Sequence, residues 1–244
     1  MGETYLEIAV AAVQAAGALQ REGWRKPALV RERLRHDIKL QMDVDCEELI
    51  RGMITRAFPD HAILGEEGGG KIPADTPTWI VDPLDGTVNY SRQVPHFCSS
   101  VAVQIAGKPV AGAVYDPIID ELYTASQGHG AFLNGEQIRV SAVTEIAAAN
   151  VGMGFAKSVE TIAHTFREMQ TLARTVHKLR IMGSAALDLA YVACGRYDGF
   201  LEFGLRTWDI AAGMLLITEA GGRVFLESVG EYAWDVRADN GHLW

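Results

Sequence analysis

Two aspartates three residues apart, Asp82 and Asp85, end an apolar run that reads Trp79-Ile80-Val81-Asp82-Pro83-Leu84-Asp85-Gly86-Thr87-Val88-Asn89-Tyr90. If residues 79–81 form a short strand and a Pro-containing turn follows, both carboxylates can reach one point. Pro83 restricts the backbone there, and Gly86 permits a tight turn with close backbone approach. The amides of Gly86 and Thr87 can then donate to an anion. Carboxylates beside anion donors are at odds unless a cation lies between them. A hard divalent ion bridging carboxylates and phosphate oxygens resolves the conflict, and magnesium suits oxygen ligands best. The plain alternative is an exposed turn, because Asp-Pro and Asp-Gly are common turn pairs.

Two further acidic motifs matter only in company. Gly65-Glu66-Glu67 follows a helix and a short apolar stretch, and adjacent acids of this kind are ordinarily solvated surface. Trp208-Asp209-Ile210-Ala211-Ala212-Gly213 opens a helix of small residues. There Asp209 has a competing structural role as a first-turn acid favoured by the helix dipole.

The elements that must position these residues are mixed. Segments of period near 3.6 alternate with strand-rich stretches, which predicts an α and β class. Leu6, Val10, Val13 and Gly17 share one helical face. Cys46, Leu49, Ile50, Met53, Ile54 and Ala57 form a clearer stripe that Pro59 ends. A meander follows over 101–140, with strands 101–105 and 110–115 about a Gly107-Lys108 turn, and a hairpin at Asn134-Gly135 before 138–140. The second half begins near Ala147. Ile162, Phe166, Met169, Ala173 and Val176 read as a core-facing helical stripe. Extended residues 178–181, a helix over 185–193, a strand at 199–202, a helix over 209–220 and a strand at 223–226 complete the pattern. Only a short last strand is expected beyond that. His96, beside Pro95 and Phe97, reads as a buried structural histidine.

The chain of 244 residues is 48% hydrophobic, enough for one domain built of two packed halves, about 1–146 and 147–244. No apolar run approaches the roughly 18 residues of a membrane span, so no membrane partner is expected. The opening residues lack the basic and apolar regions of a secretory signal. Three scattered cysteines, Cys46, Cys98 and Cys194, read as reduced thiols, and a cytoplasmic setting is expected. A net charge of −9 argues against nucleic acid as an electrostatic partner.

In order and spacing these motifs resemble the inositol monophosphatase family of metal-dependent phosphatases. The family pattern is Gly-Glu-Glu, then Asp-Pro-x-Asp-Gly-Thr-x-Asn-aromatic, then a Gly-Ser/Thr-Ala-Ala helix start, then Trp-Asp-x-Ala-Ala-Gly. All four are present, with Gly183-Ser184-Ala185-Ala186 as the third. The likeness continues through Pro95-His96-Phe97, Val114-Tyr115-Asp116-Pro117 and Leu133-Asn134-Gly135, over roughly residues 43 to 226.

The resemblance implies an α+β fold, a layered α-β-α-β-α sandwich of the inositol monophosphatase and fructose-1,6-bisphosphatase type. It implies hydrolysis of a phosphate monoester by a metal-activated water, with two or three Mg2+ ions. By position, Glu66, Asp82 and the Leu84 carbonyl would hold one ion. Asp82, Asp85 and Asp209 would hold a second, and Glu66 would help hold a third, weaker one. Asp43 would pair with Thr87 to activate the water, with Glu67 close behind. Gly86 and Thr87 would hold the phosphate, and Ser184, Ala185 and Glu202 would face the alcohol. Arg206 stands where relatives often carry His or Lys and is a further candidate for substrate contact. One departure is clear: many members have Val-Thr where Lys39-Leu40 stands here.

Val88-Asn89-Tyr90 matches the Asn-aromatic form of inositol monophosphatases rather than the Lys-Glu-Phe form of nucleotide phosphatases. The expected substrate is therefore myo-inositol 1-phosphate or another small phosphorylated polyol or sugar. Fructose-1,6-bisphosphatase, histidinol phosphatase and 3′-phosphoadenosine nucleotidase activities are the enzymatic alternatives. A non-catalytic phosphate- or protein-binding relative is the alternative of another class. Lithium sensitivity and a homodimer are implied by the family alone.

Overall fold

The computed structural model of the chain describes residues 4–33, 38–155 and 159–244. The opening residues 1–3, part of the stretch read for a leader, lie outside the described residues. In chain order the elements are α1 (Tyr5–Gly23), β1 (Val30–Arg33), β2 (Ile38–Leu40), α2 (Gln41–Ala57), β3 (Ala62–Gly65), β4 (Thr78–Asp85) and α3 (Thr87–Ser91). Then come β5 (Cys98–Ile105), β6 (Lys108–Asp116), β7 (Glu121–Ser126), β8 (Gly130–Leu133) and β9 (Glu136–Ile138). The second half holds β10 (Asn150–Met153), α4 (Val159–Thr175), β11 (Lys178–Arg180), α5 (Ala185–Ala193), β12 (Gly199–Arg206), α6 (Thr207–Glu219), β13 (Arg223–Gly230) and β14 (Ala233–Asp239).

Strands β3 to β9 form a seven-stranded sheet in sequence order, parallel at β3–β4 and antiparallel elsewhere. A five-stranded sheet runs β11-β10-β12-β14-β13, parallel across β11, β10 and β12. Side chains alternate across a strand, so each face of the large sheet meets its own core. Trp79, Val81, Val101 and Val103 pack against α1 and α2. Ile80, Cys98 and Ala102 pack on the other side with α5 and α6, a core that also takes Phe200, Val236 and Ala238 of the small sheet. Leu172 of α4 covers the outer face of that sheet through Val151, Met153 and Leu201. The layers are therefore α1/α2, sheet, α5/α6, sheet and α4: the α-β-α-β-α sandwich. No described helix is long and apolar enough to cross a membrane.

Several local expectations shift. The β5–β6 turn is Ala106-Gly107, not Gly107-Lys108, and it has the positive φ at both central residues that a type I′ hairpin turn requires, here 49° and 74°. Asn134-Gly135 turns β8 into β9 in the same way, with φ of 49° and 83°. On α1 the buried face runs through Ala9, Ala12, Val13, Ala16, Gly17 and Gln20, leaving Leu6 and Val10 half-buried. On α4 the inward residues are Thr165 and Leu172, whereas Phe166 and Ala173 are exposed. β14 is longer than expected and interior to its sheet, lying between β12 and β13.

Candidate active site

Asp82 and Asp85 lie within the end of β4 rather than on a turn. Three residues apart on a regular strand, they would point to opposite faces. The pairing with β5 shows how this is overcome: Asp82 faces Ser100, but Asp85 faces Cys98, so β4 carries one extra residue there. That bulge turns both carboxylates to the face shared with Ile80, toward the middle of the molecule. Gly86 then takes a left-handed conformation (φ 89°) as the chain enters α3, and a Cβ there would meet the His96 carbonyl at 2.9 Å.

Glu66, Asp82, Asp85 and Asp209 line one cavity of about 280 Å³. Leu84, Gly86, Thr87, Ser184, Ala185 and Glu202 line the same cavity. Asp82 is 1% exposed. Burial, then the charges of Glu66, Asp85, Asp209 and Asp43, hold its carboxyl well above the ordinary range. Such a group of hard oxygen donors, whose ionisation is opposed by the group itself, fits a divalent cation of the magnesium type. The described residues include no set of three acidic, histidine or cysteine side chains already in ligand array. The oxygens turn to nearer donors instead. Asp85 Oδ2 accepts from Ser184 Oγ (2.6 Å) and the Ala186 amide (2.7 Å), Asp209 Oδ2 from the Arg206 amide (2.7 Å), and Asp82 Oδ1 from the Leu84 amide (3.1 Å). A carboxylate has about four lone-pair sites, so bonds of this kind leave capacity for an ion.

Asp43 stands in the first turn of α2 and is 2% exposed. It accepts from the Leu40 amide (2.6 Å) and from the Thr87 hydroxyl (3.1 Å), which also reaches the Leu84 carbonyl (2.9 Å). Burial pushes the Asp43 carboxyl up to about 7 against the pull of these donors. The unusual Lys39-Leu40 pair therefore does not break the Asp43–Thr87 contact, since Leu40 serves through its backbone.

Other expected residues take different places. The Ser184 hydroxyl is committed to Asp85 and braces that carboxylate. The Arg206 guanidinium reaches the Glu231 carbonyl (3.4 Å), and Arg206 is not one of the residues lining the cavity. Its position at the start of α6 points the side chain toward the β13–β14 turn. His96 is buried, its Nε2 3.8 Å from Asp188 Oδ1, and burial pushes the imidazole down to about 4.

Sequence reasoning missed residues that shape the site. Glu47, 2% exposed, accepts from the amides of Glu67 and Gly68 (both 2.7 Å) and from Arg51 Nε (2.6 Å), fixing the Gly65-Glu66-Glu67 turn. Its signal was available: Asp43, Glu47, Ile50 and Ile54 share the buried helical face, where two acids are out of place. Asn89 Nδ2 donates to the His96 and Met182 carbonyls (2.8 and 2.9 Å), tying α3 to the loop before α5. Gly154 lies so close to Glu202 that an added Cβ would fall 1.8 Å from Oε2.

Comparisons with known proteins agree with this fold. The model of the inositol monophosphatase family matches residues 1–241. Inositol monophosphatase 2 of Solanum lycopersicum is 41% identical over 99% of this chain and 95% of its own length. Nus factor SuhB of Pasteurella multocida is 40% identical over 90% of this chain and 84% of its own. The structure of inositol monophosphatase from Anabaena superposes with a TM-score of 0.87 at 38% identity, covering 98% of this chain and 91% of that one. With the layered fold, the bulged aspartate pair and these matches in agreement, the chain belongs to the inositol monophosphatase family.

Proposed function

We propose that the protein is a magnesium-dependent phosphatase that hydrolyses a small phosphate monoester, with myo-inositol 1-phosphate as the preferred substrate. The observation that carries this reading is the convergence of Glu66, Asp82, Asp85 and Asp209 on one cavity, with Asp82 held against its own ionisation by burial and its neighbours. Glu66, Asp82, Asp85, Asp209 and the Leu84 carbonyl are the residues assigned to hold the ions. When bound, the ions supply charge stabilisation and lower the pKa of water.

The chain's own residues do the rest. Asp43, pushed up to about 7, takes a proton by way of Thr87: the hydroxyl donates to Asp43 and can accept from a water on its other side. Gly86 and Thr87 present the backbone at the start of α3 to the phosphate. Ser184 keeps Asp85 in place, and Glu202 with Ala185 faces the alcohol, whose hydroxyls a carboxylate can bind. Magnesium as the ion, lithium sensitivity, a homodimer and a cytoplasmic setting belong to the same proposal and are supported by the resemblance to the family.

A second reading has one observation behind it: relatives at similar identity bear the name Nus factor SuhB. That name favours a binding role in place of turnover. Phosphate release from inositol, sugar, histidinol and nucleotide phosphates with magnesium separates the two. Inositol phosphate is expected to be turned over fastest, and no release from any ester would sink the phosphatase reading.

A further inference from the structure

The β1–β2 pair brings one lysine to the acidic edge of the site. Lys39 Nζ lies 3.1 Å from both Oε1 and Oε2 of Glu67. Its charge is also felt by Glu66 and Glu32. The Glu67 side chain is 14% exposed and that of Lys39 34%, so the pair is only partly screened by water. The turn beneath cannot easily swing, because Glu47 accepts from the Glu67 and Gly68 amides. Glu66 faces the acidic cavity, while Glu67 and Lys39 line a neighbouring cleft of about 700 Å³ with Glu47 and Arg51. The ammonium therefore stands at the seam between the two adjacent glutamates' surroundings.

A divalent ion held by Glu67 would share its carboxylate with the Lys39 ammonium, which already donates to both oxygens, so two cations would stand close together there. An ion held by Glu66 on that side meets a fixed positive charge close by, and the repulsion is strong where water is scarce. We propose that Lys39 acts as a tethered cation, standing in for a further metal ion at the Glu66–Glu67 edge and limiting the site to two ions. The inference rests on the metal-dependent reading above. A pair that only braced the hairpin would leave the number of bound ions unchanged.

Manganese(II) titrated into the full chain, with the free ion counted by electron paramagnetic resonance, reads the complement without any turnover. The wild-type chain is expected to take two ions and Lys39→Met a third. Lys39→Arg is expected to take two, because the guanidinium keeps the charge. The added ion in Lys39→Met should bind about tenfold or more tightly than any further ion in the wild type. If Lys39→Met does not fold, Lys39→Gln removes the same charge. Equal counts in the wild type and the uncharged variant, or three ions in the wild type, overturn the inference and leave the metal-dependent reading standing. No bound manganese in any of these proteins overturns both.

Discussion

Asp82 and Asp209 face one cavity from the two halves of the chain, and they are held on opposite terms. Asp82 is almost wholly buried on a strand, where burial and neighbouring charges oppose its ionisation. Asp209 is half-buried in the first turn of α6, where the Arg206 amide donates to it and the helix N-terminus favours its charge. The strand acid thus carries a cost that a bound cation would offset, whereas the helix acid, repelled by Asp82 in its turn, has an amide donor and a helix N-terminus to set against that repulsion. Two residues with one proposed role should therefore affect the metal-free protein with opposite sign.

Replacing them tests this directly. Asp82→Asn and Asp209→Asn should each lower turnover on the order of a thousandfold, since each removes a proposed ion ligand. Without metal, Asp82→Asn should raise the melting temperature, because a buried, repelled charge is gone. A gain of about 1 kcal/mol corresponds to roughly 2–4 °C for a chain of this size. Asp209→Asn should lower it slightly, by the roughly 0.3–1 kcal/mol that a first-turn charge contributes. Shifts of the same sign would dissolve the contrast, and near-normal turnover of Asp82→Asn at saturating magnesium would remove Asp82 from the site.

The same contrast appears in pH. Asp43 and Asp82 have folded-state pKa values above their ordinary 3.8, with Asp43 at about 7. The contribution of Asp43 to metal-free stability is full below pH about 4 and is lost as pH rises through about 7, and that of Asp82 is likewise present in acid and lost as pH rises. His96 acts oppositely, since its folded value near 4 lies below the ordinary 6.5, and its contribution is lost as pH falls through 4. The difference between wild type and Asp43→Asn isolates the carboxyl: metal-free melting should fall less steeply between pH 4 and 7 in the variant. The proposed magnesium ions would bind the ionised acids, so their stabilisation should grow from pH 5.5 to 8. It should reach about 2.7 kcal/mol at a hundredfold excess over the dissociation constant, or roughly 5–10 °C. A magnesium shift independent of pH would contradict the raised carboxyls.

The contrast also marks what the sequence could disclose. The aspartate pair, Gly86, Thr87 and the small-residue helices were legible because each motif is local and contiguous. The layered fold followed from the family resemblance that their joint order carries. The bulge that aligns Asp82 with Asp85 was not legible, because it depends on the register with β5. Nor was the interior place of β14, although Trp234, Val236 and Ala238 alternate with Asp235, Arg237 and Asp239, since strand order is set by pairing across the sheet. Glu47 was readable in principle from the helical stripe, but its partners lie on a turn some twenty residues away. Contacts of that range are fixed by packing, and periodicity alone does not contain them.

The smallest effect is expected at Arg206. Its amide donates to Asp209 whatever the side chain, so truncation leaves that bond in place. The guanidinium donates to the exposed Glu231 carbonyl, at 3.4 Å. Exposed contacts of this kind are typically worth about 0.5 kcal/mol or less, roughly a factor of two. Arg206→Ala should therefore change kcat/KM by about twofold or less and leave magnesium stabilisation intact. A loss beyond about tenfold, carried by a higher KM, would mean that the side chain turns from Glu231 into the cavity when substrate arrives. The start of α6 would then supply a positive charge to the substrate as well as a stabilised acid to the ions, and its contrast with the strand acid would extend from metal binding to substrate binding.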